Sequence, residues 1–320
     1  MKYIWRKVNV GFGKETTRGT AVAPSIRSPK ASLEFSEKSE KVIDESSIGV
    51  IEDSFDWHVS KERAEGSFEC NVYANVIGIL LLNLFGGVTS ETDDGVTTHA
   101  FEVEENNEHQ SLTIALADDT QDKQFPLAMI DSVEFTAEVG DFVKANAEFK
   151  SKKGANASLT PSYSPDYAML AKHVNVYLAD DLDGLDSATS IKASNVSLTI
   201  NKNLEDVDVL GTTQPDDFCN TQFTVEGNVE LLRDDETYKA LYQDGVKKAM
   251  RIEIIDANDT IWTNENPTLI FDLASVIFTE FAKTQDNDAL IRQWLDFKAL
   301  YSMSDNAMIK ATLKNTKASY

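Results

Sequence analysis

Apolar and polar residues alternate one by one through much of this chain, and a period of two is the repeat of a strand with one buried and one wet face. Leu33 and Phe35 stand against Ser32, Glu34 and Ser36, and Phe68, Cys70 and Val72 stand against Ser67, Glu69 and Asn71. Further alternating runs lie at residues 99–103, 111–116, 129–136 and 143–150, the last two forming a hairpin across Gly140 and Asp141. The same pattern returns at 173–178, 249–255 and 273–278. A chain patterned in this way is mainly β, with strands that cover a core on one side and meet water on the other.

The pattern is also stated twice. A strand at 32–36, a long connection, a strand at 65–70 and an apolar helix over 76–85 stopped by Gly86 and Gly87 form the first unit. The second begins at Val196 with a strand at 197–200, a loop over 203–220, a strand at 222–232 and a shorter, more polar helix over 236–242 closed by Asp244 and Gly245. Leu33 to Leu198 is a shift of 165 residues and Gly66 to Gly227 one of 161. Ser132-Val133 is echoed by Ser275-Val276, and Glu148-Phe149-Lys150 by Asp296-Phe297-Lys298. These matches predict two tandem domains, 31–155 and 156–320, behind a turn-rich N-terminal arm of residues 1–30, and 320 residues are enough for two cores. Residues 151–165, rich in Lys, Gly, Ala, Asn, Ser and Pro, read as the linker. Residues 289–301 carry a helical period, but their equivalence with 143–150 predicts a strand.

Composition excludes several classes. Thirty basic residues against fifty-three acidic ones give a formal charge of −23, the opposite of what binding a phosphate backbone needs. The one strongly apolar run, 77–85, is about half of the roughly 20 residues that span a bilayer, so it reads as a core helix rather than an anchor. The N-terminus lacks the apolar run and cleavage site of a leader, which gives the expectation of a protein kept in a cytoplasm. Cys70 and Cys219 are too few for a disulfide framework and read as buried free thiols.

Nothing in the sequence assembles a catalytic or metal constellation. His58, His99, His109 and His173 are scattered, and no zinc, nucleophile-elbow, dinucleotide or phosphate-loop motif is present. Asp180 to Gly184 resembles a calcium loop, but the position where its bidentate Glu belongs is Lys192. A solvated acidic turn is the better reading. Paired carboxylates such as Asp53 and Asp56, or Asp216 and Asp217, are expected by chance among so many acids. The expectation is therefore a protein that is not an enzyme and carries no cofactor or metal. Trp57, Trp262 and Trp294 read as core or interface packing, with stacking on sugars in a carbohydrate-binding or adhesin sandwich as the alternative.

The connection over residues 39–63 is unusual in length for a loop. It places Ile43, Ile48, Val50, Ile51, Phe55 and Trp57 among acids, and water alone is a poor environment for six large apolar groups. They predict a protruding hairpin that packs on a neighbouring subunit, against the plainer reading of strands that only extend the sheet.

The arm supplies the most specific wording in the chain. Residues 13–24, with Gly13, Glu15, Thr17, Gly19, Thr20 and Pro24, closely resemble the opening of one family of phage tail tube, or major tail, proteins. Phe297-Lys298-Ala299-Leu300-Tyr301, a last strand over 308–313 and Asn315 resemble the ending of the same family. The resemblance implies tube-type β-sandwich or barrel domains, each with a flanking helix, whose sheets join between subunits around a channel for DNA. It implies a structural virion protein, assembled in the host cytoplasm, that stacks as rings into the conduit for DNA delivery. Two tandem domains would close a pseudo-six-fold ring with three chains; a true hexamer is the alternative. Tape-measure and tail-terminator proteins are the implied partners, with passive passage of DNA and no membrane contact.

Overall fold

The computed structural model describes residues 4–29, 31–46, 49–162, 166–232, 236–263, 265–284 and 291–320. In chain order, β1 (Asn9–Lys14) and β2 (Ile26–Arg27) come from the segment expected to be an arm. β1 pairs along its whole length with residues 112–117 and buries Val10 and Phe12. The glycines between those side chains explain how: a Cβ on Gly11 would lie 2.8 Å from Pro24 Cβ, and one on Gly13 2.7 Å from the Ala23 carbonyl oxygen. The turn-rich segment thus folds back tightly over its own strand.

β3 (Ala31–Asp44) and β4 (Asp56–Asn71) form one long hairpin, paired from Ala31 opposite Cys70 to Asp44 opposite Asp56. The expected 25-residue loop is mostly strand, with β3 running to Asp44 and β4 resuming at Asp56. α1 (Ile77–Phe85) has all nine residues buried, and Gly86 caps it at φ 93° with its N–H donating to the Leu82 carbonyl. β5 (Thr89–Asp93) and β6 (Val96–Glu102) form a short hairpin. Their link is Asp94-Gly95, both at positive φ (45° and 87°), the Asp-Gly signal of a two-residue hairpin.

β7 (Leu112–Ala117), β8 (Lys123–Glu138), β9 (Lys144–Ser151) and the short β10 (Ala155–Asn156) complete the first half. The second half runs through β11 (Val174–Ala179), β12 (Ser190–Ile191), β13 (Ala193–Asn201), β14 (Leu204–Val207), β15 (Asp217–Asn220) and β16 (Thr224–Leu232). α2 (Thr237–Asp244), β17 (Lys248–Ile255), β18 (Thr268–Lys283), β19 (Arg292–Ala299) and β20 (Ile309–Asn315) close it. β19 shows that the helical period around Trp294 yields to sheet pairing, since its core-facing Leu295, Phe297 and Ala299 are buried between β16 and β18.

Eight antiparallel strands form a wall in the order β3-β4-β9-β8-β13-β16-β19-β18. β8 and β18 are each twice the usual length because they serve two layers. Residues 129–138 of β8 lie in the wall, and its first residues pair with β7 and β10. Residues 268–273 of β18 lie between β17 and β20, and 277–283 return to the wall. The second layer packs on the wall through ring contacts, Phe12 to Phe68 at 5.0 Å and Phe271 to Phe135 at 4.9 Å. One core row crosses six wall strands as Leu33, Phe68, Ala147, Val133, Ile200 and Val225, every one buried.

The pairings give their own alignment of the two halves. Gly66 lies between Phe35 and Phe149, and Gly227 between Leu198 and Phe297. A Cβ on Gly66 would overlap the carbonyl of Glu34, and one on Gly227 the carbonyl of Ser197. Phe149 faces Ile130 and Phe297 faces Phe278, and both β8 and β18 then bulge by one residue. Phe35, not Leu33, therefore stands opposite Leu198's place, a separation of 163 residues, and Ser132 matches Glu280 rather than Ser275. A strand slid by two residues keeps its faces, so alternation alone could not fix this register.

Candidate assembly interface

The tip of the β3–β4 hairpin carries the apolar residues singled out from the sequence. Ile43, Val50, Ile51, Phe55 and Trp57 are each more than half exposed, with Ile51 fully so. Ile48 lies outside the described residues. The Trp57 ring is partly shielded by Lys41, whose ammonium sits 4.4 Å from its centroid. The base of the hairpin is braced by the small β14–β15 hairpin, which occupies the loop expected over 203–220. Lys61 pairs with Asp208 at 2.5 Å, Arg63 with Asp206 at 3.2 Å, and the Glu62 N–H donates to the Thr213 carbonyl at 2.7 Å. The base is fixed while the greasy tip is bare.

The arm residues have a different role from the tip. Glu15, 3% exposed, accepts four hydrogen bonds: from Thr113 Oγ1 and the Leu127 N–H on one oxygen, and from Ser111 Oγ and the Gly19 N–H on the other, all between 2.7 and 2.9 Å. Gly19 takes φ 75°, and Thr20 N–H donates to the Thr17 carbonyl to close that turn. Thr17 and Thr20 are exposed. Gly13 pairs with Thr113, and Pro24 lies against Gly11. Arg18, between these positions, reaches across to the second half: it donates to the Asp217 carboxylate at 2.8 Å and to the carbonyls of His109 at 2.5 Å and Phe218 at 2.8 Å. The signature is thus a clamp within one chain.

The clamp converges on the bend in β8, where Leu127 sits at φ 55° and regular pairing lapses. Asn83, fully buried in α1, donates to the carbonyls of Gln110 (2.7 Å) and Ala128 (3.1 Å) and accepts from the Ile130 N–H (2.7 Å). Lys202, at the end of β13, donates to the Asn83 carbonyl at 2.8 Å. Its burial, with Arg18 nearby, pulls its pKa down to about 7. Asn315 closes the other end of α1, donating to the Ala74 carbonyl and the Tyr320 hydroxyl. Sequence reasoning missed Asn83, Arg18 and Lys202; the signal was a polar residue inside an apolar run for Asn83, and none marked the other two.

The wet face of the wall is acidic. One level crosses all eight strands as Ser32, Glu69, Asn146, Glu134, Thr199, Glu226, Lys298 and Ile277. Glu34, Glu138 and Glu148 are exposed on the same face, with Lys144 and Lys150 among them. Cys70 lies on the opposite, core side, where burial pushes its thiol up to about 12; Cys219 is only half-buried, contrary to expectation, and both are free. The acidic turn has local partners, with Asp181 accepting from the Gly184 N–H and Asp186 from Arg251. No helix among the described residues is long and apolar enough to cross a membrane.

No curated protein matches the chain. The family model described as phage tail tube protein matches residues 5–297, from the arm through β1 to the core residue Phe297 of β19. With that match spanning nearly the whole wall, the chain belongs to the phage tail tube protein family, a structural family of the virion tail whose members stack into a tube.

Proposed function

We propose that this protein is the subunit of closed rings that stack into the tail tube and conduct the genome from capsid to host. The observation that carries this reading is the eight-stranded wall, wet and acidic on one face and sealed by a core on the other, in a chain of the tube family. A sheet with a core behind it and water in front suits a wide barrel, and ring closure removes both of its open edges. The two halves are a tandem duplication of one tube domain, supported by the matched glycines, phenylalanines and bulges. Each chain then supplies two of six domains, so three chains close a pseudo-six-fold ring.

The hairpin tip, with Ile43, Val50, Ile51, Phe55 and Trp57, is the contact between stacked rings, where its apolar groups leave water. Tape-measure and terminator proteins are the further partners, and DNA passes without specific contacts because the acidic wall repels its phosphates. Electron microscopy of the purified protein tests the proposal. Rings or tubes with three-fold chain stoichiometry are expected; a monomer that stays monomeric at high concentration and binds saccharides would overturn it in favour of a carbohydrate-binding sandwich.

A further inference from the structure

Each end of the wall is open on its outer side. Among the described residues β3 pairs only with β4, and residues 277–283 of β18 pair only with β19. Inside the chain the corresponding edges meet: β8 and β13 join with Phe135 opposite Leu198, Glu134 opposite Thr199, Val133 opposite Ile200 and Ser132 opposite Asn201. Burial records the difference. On the core face, Val133, Phe135, Leu198 and Ile200 are buried at the internal joint, whereas their counterparts at the open edges are not: Phe281 and Phe35 are half-buried, and Lys283 and Glu37 are exposed. The helices differ in the same sense. α1, behind the internal joint, is wholly buried, but α2, behind the open edge of β18, has no buried residue, and its Tyr242 and the Val246 that follows its cap are more than a third exposed.

We infer that a second copy of this chain adds its β3 to the β18 edge in the register of the internal β8–β13 joint. This rests on the ring reading and specifies it residue by residue. The equivalences fixed by the glycines and bulges place Lys283 opposite Phe35, Ala282 opposite Ser36, Phe281 opposite Glu37 and Glu280 opposite Lys38. Glu280 and Lys38 lie on the wet face with opposite charges, and Lys283 stands diagonal to Glu37 on the core face. A shift by two residues in one direction puts Glu280 opposite Ser36 and loses the first pair, and in the other direction it brings Lys283 opposite Glu37 but sets Glu280 against the like charge of Glu40, so charge complementarity favours the same register as the internal joint. The incoming strand also brings cover to Phe281 and to the Tyr242 ring stacked on it at 6.4 Å. The two kinds of joint therefore differ: the internal one is apolar and permanent, and the one between chains is charge-matched and adds the selectivity that assembly between separate molecules needs.

Cross-linking tests the register. Residues directly opposite in an antiparallel pair have Cα atoms about 4.5–5.5 Å apart, inside the span of a disulfide, while diagonal positions are about 7–8 Å apart. In a Cys219→Ser background, the Ser36→Cys, Ala282→Cys pair is expected to give covalent dimers and trimers under mild oxidation. The Lys38→Cys, Ala282→Cys pair is expected to give at least fivefold less. If rings form by microscopy but the two pairs cross-link equally, or only the diagonal pair does, the joint is overturned and the tube reading stands. If the unmodified protein forms no assembly, both are overturned. Lys38→Glu and Glu280→Lys supply a second readout: each alone is expected to slow ring formation several-fold and the two together to restore it, and a double variant as slow as either single one counts against the joint.

Discussion

Asn83 shows how much of this fold depends on a single amide. Where β8 turns from one layer to the other, its backbone groups lose their ladder partners, and buried polar groups without partners cost about 1–3 kcal/mol each. The Asn83 side chain serves two carbonyls and the Ile130 N–H at that point. Asn83→Leu keeps the volume and apolar character of the helix but orphans all three, so a loss of about 3 kcal/mol or more is expected in chemical denaturation. Lys202, which donates to the carbonyl of the same residue, makes a prediction of opposite sign. Its folded pKa of about 7 lies below the ordinary 10.5, so between these values the unfolded chain holds more protons. Stability is expected to rise with pH from about 7 towards 10, at up to about 1.4 kcal/mol per pH unit, and to be flat in this contribution below 7. Lys202→Met gives up one hydrogen bond, about 1 kcal/mol, against a larger cost of holding the ammonium buried. The variant should be more stable than the parent at pH 6 and lose that rise, as read from urea midpoints across pH.

At the scale of elements, the proposed stacking role of the β3–β4 hairpin would separate folding from assembly. Its base is tied to β9, β14 and β15 by backbone pairing and the Lys61, Arg63 and Glu62 contacts, while its tip touches little. Deleting residues 42–58 and closing the paired Lys41 and Val59 with a two-residue Asn-Gly turn is expected to leave the thermal midpoint within a few degrees and ring formation intact. Stacking of rings into tubes should be lost; a variant that still polymerises normally would remove the tip from the stacking contact. The exposed greasy residues of this hairpin were legible in the sequence because a run of apolar groups among acids has no other use for them. The strand at Trp294 was legible only by analogy with the first half, since its local period is helical and sheet neighbours overrule it. Invisible were the contacts that join distant segments: Arg18 on Asp217, Glu15 on Leu127 and Lys202 on Asn83 are 112 or more residues apart. No periodicity encodes such pairs, although the turn-rich arm that holds Arg18 and Gly19 clamps the two halves together.

For the whole molecule, the decisive quantity is the sign of charge on the wet face of the wall. DNA carries one negative charge per about 1.7 Å of its axis, so a lumen that attracts it would hold the genome in transit, and one that repels it lets it slide. Glu69, Glu134 and Glu226 stand on one level of the wall, on three of its strands, and in the proposed ring every copy repeats them. Their side chains are exposed and point away from the core row, with Glu226 paired to Lys298 at 2.6 Å on the surface, so reversing their charge perturbs the field far more than the fold. Tubes of the Glu69→Lys, Glu134→Lys, Glu226→Lys variant are expected to retain short duplex DNA at 50 mM salt, and parent tubes to retain none. Retention by the variant should fall steeply as salt is raised, because each neutralised phosphate releases counterions. Equal retention by parent and variant tubes would place the acidic face on the outside of the tube and leave the lumen to the opposite side of the fold.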